Sequence, residues 1–308
     1  MKVKHLVISG GGINGFVNYA ILRDSHKDGY WSVEDLKTIY GTSSGSIVGL
    51  VICLKYDWDS LDNYFIKRPW NNLFCVDVNI MLSALNKRGI FEYKHIEQMF
   101  SPLFLGKDIN LDITLEEFYK WSGIEIHIFA TEINQGLSRD VDFSYKTHPH
   151  WKVLEAVYCS CCLPILFQPF LKESECFMDG GGFLNYPLLP CIENVGESEI
   201  QYIWGIKRCA LNHIGPQHVN EETSLWDTII ILMNKMIERA NIVSPDTFSH
   251  TQLKEIKVSC STISFSEIFR IFENQTEREK LFEIGSQTWQ DYKNQQSMNK
   301  VCPIDMNK

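Results

Sequence analysis

The sequence has no long apolar run, no excess of positive charge and no framework of paired cysteines, and each shortage excludes a class. No stretch approaches the roughly 20 apolar residues of a membrane-crossing helix. The opening MKVKHLVISGGG breaks at Ser9-Gly10, before the apolar core of a secretory signal could form, so no signal peptide is expected. A formal net charge of −9 argues against a nucleic-acid binder, which would show a basic domain or stripe. The same charge weakens bulk attraction to an anionic bilayer, leaving only a local basic patch for that task. The ten cysteines are scattered, and neither a zinc ribbon nor a thioredoxin-type centre is expected from them. Cytoplasmic location with free thiols follows as the expectation. For Cys159, Cys161 and Cys162, core packing is preferred over redox chemistry.

What is present is a chain of 308 residues, 44% hydrophobic and 22% charged, ample for a large buried core. We expect one domain over residues 1–308. Within it, 4–210 would form the core and 211–308 a mainly helical extension packed on it, with the loop 212–220 between them.

The first sixty residues alternate in kind. Val3 to Ile8 is rich in branched residues and reads as a strand. It runs into Ser9-Gly10-Gly11-Gly12-Ile13-Asn14-Gly15 and then a helix-spaced segment, Phe16 to Leu22. Leu36 to Tyr40 reads as a second strand, ending at Gly41-Thr42-Ser43-Ser44-Gly45, and Ile47 to Tyr56 as a buried helix. Such alternation implies a parallel sheet with helices on its faces. Further strands are expected at Ile124–Thr131, around Cys176–Met178, at Ile200–Lys207 and at Leu253–Ser259. Helices are expected at Tyr93–Phe100, Leu115–Trp121, Val153–Tyr158, Leu225–Ala240 and Gln275–Tyr292.

Gly10-x-Gly12-x-x-Gly15 between a strand and a helix matches the dinucleotide fingerprint locally. The acid that should close the second strand is missing, and no G-K-[ST] follows for a P-loop. An alternative is an anion cradle, in which glycine N–H groups at a helix start face a developing oxyanion. A tight turn with close helix packing is the plain alternative.

Gly41-x-Ser43-x-Gly45 has the spacing of a nucleophile elbow. By chance alone that pattern arises in roughly one chain in ten of this length. Three late histidines, His213, His218 and His250, are the candidate partners of Ser43 by chain order. An early serine with no histidine in a recognisable strand-end loop disfavours a Ser-His-Asp triad. Asp179 closes a short apolar segment and precedes Gly180, Gly181 and Gly182, so its carboxylate is placed at a strand end. To act as sole base it must touch the serine hydroxyl, in surroundings that raise its proton affinity. An ordinary Asp-Gly turn is the competing reading.

Taken together, Gly10-Gly11-Gly12-Ile13-Asn14-Gly15, Gly41-Thr42-Ser43-Ser44-Gly45 and Asp179-Gly180-Gly181 resemble the patatin-like phospholipase family. Arg88-Gly89-Ile90-Phe91, Phe129-Ala130-Thr131-Glu132, the segment from Ala156 to Pro169, and Asn185 with Pro187 resemble lesser blocks of that family. The resemblance spans residues 4–210. It implies a three-layer α/β/α fold with a mostly parallel central sheet, a Ser-Asp dyad, and calcium-independent hydrolysis of acyl lipids, with no cofactor and no metal. Carried over, Ser43 is the nucleophile, Asp179 the general base, and the N–H groups of Gly10, Gly11 and Gly12 the oxyanion hole. Gly15, Gly41, Gly45, Gly180 and Gly181 support the motifs. Asn14 departs from the family, which often has Arg or Lys there, and a neutral amide brings no charge to an oxyanion or phosphate.

The implied partner is a phospholipid or other acyl lipid, met by peripheral contact with a membrane, and not nucleic acid. Tyr64 to Trp70 and Asn79 to Arg88 interleave apolar and basic residues. Each could rim an acyl channel, lie on a bilayer, or be an ordinary core helix with solvated ends. A thioesterase or acyltransferase with the same dyad, and an idle lipid-binding member, are the competing functions.

Overall fold

Leu6, Val7 and Ile8 are all fully buried, which requires a strand covered on both faces. That strand, β1 (His5–Ile8), lies at the middle of the computed structural model, which describes residues 2–209, 218–243, 253–259 and 264–301. Among the described residues the other strands are β2 (Thr38–Thr42), β3 (Gly89–Phe91), β4 (Glu125–Glu132), β5 (Arg139–Phe143), β6 (Ile165–Phe167), β7 (Phe170–Lys172), β8 (Glu175–Asp179), β9 (Ile203–Cys209) and β10 (Lys254–Ser259). The main sheet runs β10-β9-β1-β2-β4-β8-β7, with β5 also on β4; β3 and β6 form a separate parallel pair. From β10 to β4 every pairing is parallel, while β5, β7 and β8 are attached antiparallel.

Both faces are covered, as period-2 alternation along the strands demands. Leu6 and Ile8 join one core with Ile39, Ile126 and Ile128, covered by α1 (Gly15–Lys27), α2 (Ser44–Cys53) and the long helix Gln275–Val301. Val7, Tyr40 and Phe129 point to the opposite face and pack against Cys191 and Ile192 of the helix Leu188–Val195. The result is the expected three-layer α/β/α arrangement. No helix among the described residues is long and apolar enough to cross a membrane.

The strands expected around 3–8, 36–40, 124–131, 176–178, 200–207 and 253–259 are β1, β2, β4, β8, β9 and β10, with ends displaced by a few residues. The stretch 200–202 belongs to a 3-10 turn, Glu197–Tyr202, ahead of β9. The expected helices all form. Not anticipated were the short strands β3, β5, β6 and β7 and the helices Leu188–Val195 and Phe265–Glu273. Beyond 210, the expected strand at 253–259 joins the parallel sheet as β10 beside β9, from Lys254 opposite Trp204 to Ser259 opposite Cys209. Of the expected boundary loop, only 218–220 falls within the described residues.

Candidate active site

Neighbouring parallel strands deliver their following loops to one sheet edge. Ile8 of β1 pairs with Gly41 of β2, so the Gly10–Gly12 loop and Ser43 emerge side by side, beyond the C-terminal strand ends where open α/β sheets bind ligands. Ser43 turns the chain between β2 and α2 with φ 53° and ψ −126°, a conformation that non-glycine residues rarely hold. The glycines on either side are sterically required. A Cβ at Gly45 would lie 2.3 Å from the Ile8 carbonyl oxygen, and one at Gly41 would lie 2.7 Å from the Gly45 backbone.

The Ser43 hydroxyl donates to Asp179 Oδ2 at 2.7 Å. Asp179 ends β8, which reaches the site through its antiparallel pairing with β4, Ala130 opposite Asp179. The other carboxylate oxygen accepts the Gly181 N–H at 2.7 Å, so the turn through Gly180 and Gly181 holds the carboxylate in place. Burial pushes the Asp179 carboxyl up to about 6, against the downward pull of the Ser43 and Gly181 hydrogen bonds.

Three supporting contacts had no distinct signal in the sequence. The Ser43 N–H donates to Ser160 Oγ at 2.7 Å, and Ser160 in turn donates to the Phe129 carbonyl at 2.5 Å. Ser46 Oγ donates to the Ser43 carbonyl at 2.6 Å. Thr42 Oγ1 donates to the Leu184 carbonyl at 2.8 Å, tying the elbow to the chain after Asp179. The strained turn is thereby braced from three directions.

The glycine loop differs in detail from the expected set of donors. The Gly10 N–H is already donated to the Asn185 carbonyl at 3.1 Å, and the Gly11 N–H to Ser44 Oγ at 3.0 Å. Neither is free to meet a substrate oxygen. Gly12 remains, with Ile13 beside it; neither N–H has an acceptor among the described residues. Asn14 turns its side-chain amide inward and donates to the Gly11 carbonyl at 3.0 Å, stiffening the loop. Gly15 opens α1 against Ser44 of the elbow.

Two cavities meet at Ser43 and Asp179. The first, of about 180 Å³, is apolar and runs past Phe16, Ile47, Phe65, Phe91, Met99 and Phe272. The second, of about 90 Å³, is the more polar of the two, with Asn14, Asn185, Arg208 and Asn234 in its wall beside apolar residues such as Leu163 and Ile230. Phe65 and Trp70 place the Tyr64–Trp70 stretch at the apolar cavity. The Asn79–Arg88 stretch instead forms the helix Val78–Lys87, with Val78, Leu82 and Leu85 exposed.

No histidine among the described residues lines either cavity. His218 is exposed; His213 and His250 lie outside the described residues. Cys159 and Cys162 do stand at C-x-x-C spacing, in the helix Val153–Cys161 and at its end. Burial decides against a redox role: with Cys161 they are buried, and burial pushes all three thiols above their ordinary range. Among the described residues no group of three or more His, Cys, Asp or Glu is arranged to hold a metal ion.

A family model described as patatin-like phospholipase matches residues 6–192. The chain is 26% identical over 271 residues to a protein of Invertebrate iridescent virus 6 named probable lipid hydrolase 463L, taking in 87% of this chain and 91% of that protein. A protein of Acanthamoeba polyphaga mimivirus described as uncharacterized is 27% identical over 187 residues, which cover 61% of each chain. The solved structure of VipD from Legionella pneumophila superposes with a TM-score of 0.48 at 14% identity, over 91% of this chain and 67% of that one.

Proposed function

The chain belongs to the patatin-like phospholipase family, and from that premise we propose that it is a calcium-independent lipid acyl hydrolase of phospholipase A type. Ser43 is its nucleophile and Asp179 its general base. The observation that carries this reading is the 2.7 Å hydrogen bond from Ser43 Oγ to Asp179 Oδ2, at the junction of an apolar and a polar cavity.

The chemistry follows in two halves. As Ser43 Oγ attacks the ester carbonyl, its proton passes to Asp179, whose raised proton affinity suits it to accept. The carbonyl oxygen gains negative charge and takes the free N–H groups of Gly12 and Ile13, with the start of α2 adding its dipole. Collapse breaks the bond to the alcohol oxygen, which leaves with the proton from Asp179. The acyl chain stays on Ser43 and lies in the apolar cavity. Water then attacks the acyl-serine, giving a proton to Asp179; collapse releases the fatty acid and returns the proton to Ser43.

The substrate is met at a bilayer. The helix Val78–Lys87 presents Val78, Leu82 and Leu85 at i, i+4 and i+7, with Lys87 and Arg88 at its end. Apolar side chains flanked by cations fit the boundary between acyl chains and anionic headgroups.

Reaction with a fluorophosphonate probe, followed by peptide mapping, tests the assignment. A single adduct on Ser43, abolished in Ser43→Ala and much slowed in Asp179→Asn, is expected. An adduct elsewhere, or none, contradicts it. Product analysis separates hydrolysis from transfer: free fatty acid is expected, even with an alcohol acceptor present.

A further inference from the structure

The polar cavity has one basic side chain among the described residues that line it, Arg208. Its position follows from the sheet. Ile8 of β1 pairs with Ile206 of β9, so Arg208 stands two residues further on, level with the glycine loop, where its N–H donates to Ser9 Oγ at 2.9 Å. The guanidinium Nη2 donates to Asn234 Oδ1 at 3.3 Å. Asn234 is itself held by donating to the Ile230 carbonyl at 3.0 Å, one turn back on its helix. Arg208 is half-buried and pairs with no carboxylate among the described residues, although Asp179 lines the same cavity.

An oriented guanidinium with no carboxylate partner among the described residues, in the wall of a cavity beside Ser43, calls for an anion. Arg presents a planar fork of donors that matches two phosphate oxygens at once. The other polar side chains there are the catalytic candidates Ser43 and Asp179, which are bonded to each other, and three neutral amides, of which that of Asn14 is spent inside the loop on the Gly11 carbonyl. With an acyl chain in the apolar cavity and its carbonyl at Ser43, the alcohol side of the ester falls in the polar one. In a glycerophospholipid that side carries a phosphodiester.

We propose that Arg208 is the phosphate-recognising residue of this site and sets its preference for phospholipids over neutral acyl esters. The inference rests on the hydrolase reading above and deepens it. Asn14 holds the loop, and Arg208, arriving from a different strand, supplies the charge. Arg208 acts on the headgroup and takes no part in the proton transfer between Ser43 and Asp179.

Two substrates that differ only in the phosphocholine group give the first arm of the test: a lysophosphatidylcholine and the monoacylglycerol of the same chain. Arg208→Gln should lower the ratio of their kcat/KM values roughly 10–100-fold, mainly through KM, the scale of a charge-assisted bidentate contact. Arg208→Lys should recover part of the ratio. A ratio that stays at the wild-type value overturns the proposal, whether both activities survive or fall together.

The second arm needs no turnover. Glycerophosphocholine and inorganic phosphate are titrated calorimetrically into Ser43→Ala protein, with and without Arg208→Gln. Arg208-dependent binding of glycerophosphocholine, tighter than that of phosphate, is expected. This result would stand even if wild type hydrolysed no ester, in which case the hydrolase reading fails and Arg208 remains a headgroup contact. Binding indifferent to Arg208, absent, or no tighter than that of inorganic phosphate overturns the assignment.

Discussion

The hydroxyl of Ser43 and the carboxylate of Asp179 meet at 2.7 Å across 136 positions of sequence. Neither residue is held there by side-chain packing alone. A positive-φ turn aims the serine, and a strand-end carboxylate pinned by the Gly181 N–H receives it. The proposed proton transfer runs directly between them, and none of the protein's described histidines lines the cavities beside them.

The first consequence concerns pH. Asp179 must be ionised to accept a proton, and burial holds its carboxyl up at about 6. Hydrolysis of an uncharged ester should therefore rise with pH along an acid limb with an apparent pKa of about 6, reaching a plateau above 7. A kcat/KM profile against a soluble neutral ester checks this. An acid limb near 4 would mean that the carboxyl is solvated.

Stability should move the other way. Burial holds the folded carboxyl up at about 6, against 3.8 for an ordinary aspartate. Between those values the folded chain holds a proton that the unfolded chain has released, so this group makes stability fall as pH rises through the window. Asp179→Asn removes that penalty, on the order of 3 kcal/mol above pH 7. Thermal unfolding at pH 7.5 should give Asp179→Asn a Tm at or above wild type; a clear loss of Tm would contradict it.

Backbone strain at Ser43 gives a third outcome. With φ at 53° and ψ at −126°, the residue sits where glycine is at ease and a side chain is not. Ser43→Gly should therefore be more stable than Ser43→Ala by about 1 kcal/mol, though both are inactive. Denaturant midpoints of the two variants, compared at equal m-values, decide this.

The apolar cavity predicts a dependence on chain length. Met99, on the helix Tyr93–Leu105, contributes to its wall. Met99→Trp should shorten the cavity and reduce kcat/KM for long-chain esters roughly tenfold or more relative to short ones. A uniform effect on all chain lengths would place the acyl group elsewhere.

Much of this site was legible in the sequence because glycines mark it. Gly41 and Gly45 flag the elbow since a Cβ at either would strike backbone, and Gly180 and Gly181 flag the turn that follows Asp179. The buried strands β1, β2, β4 and β9 were legible from their branched and aromatic runs. Contact between Ser43 and Asp179 was not, because it depends on β8 joining β4 antiparallel at the end of a sheet that is parallel from β10 to β4. Ser160 left no mark, since a serine that braces a backbone N–H looks like any small helical residue. Nor can the glycine pattern reveal that the N–H groups of Gly10 and Gly11 are donated to Asn185 and Ser44 in this structure. Arg208 escaped notice as one arginine at a strand end, distinguished only by the register that lifts it to the glycine loop.

Fatty-acid release from phosphatidylcholine and phosphatidylethanolamine vesicles, in excess chelator, tests the central claim most directly. Wild type should release fatty acid, and Ser43→Ala and Asp179→Asn should each fall to background while remaining folded. Release that persists in Ser43→Ala, or that requires added calcium in wild type, would contradict a metal-free Ser43–Asp179 hydrolase.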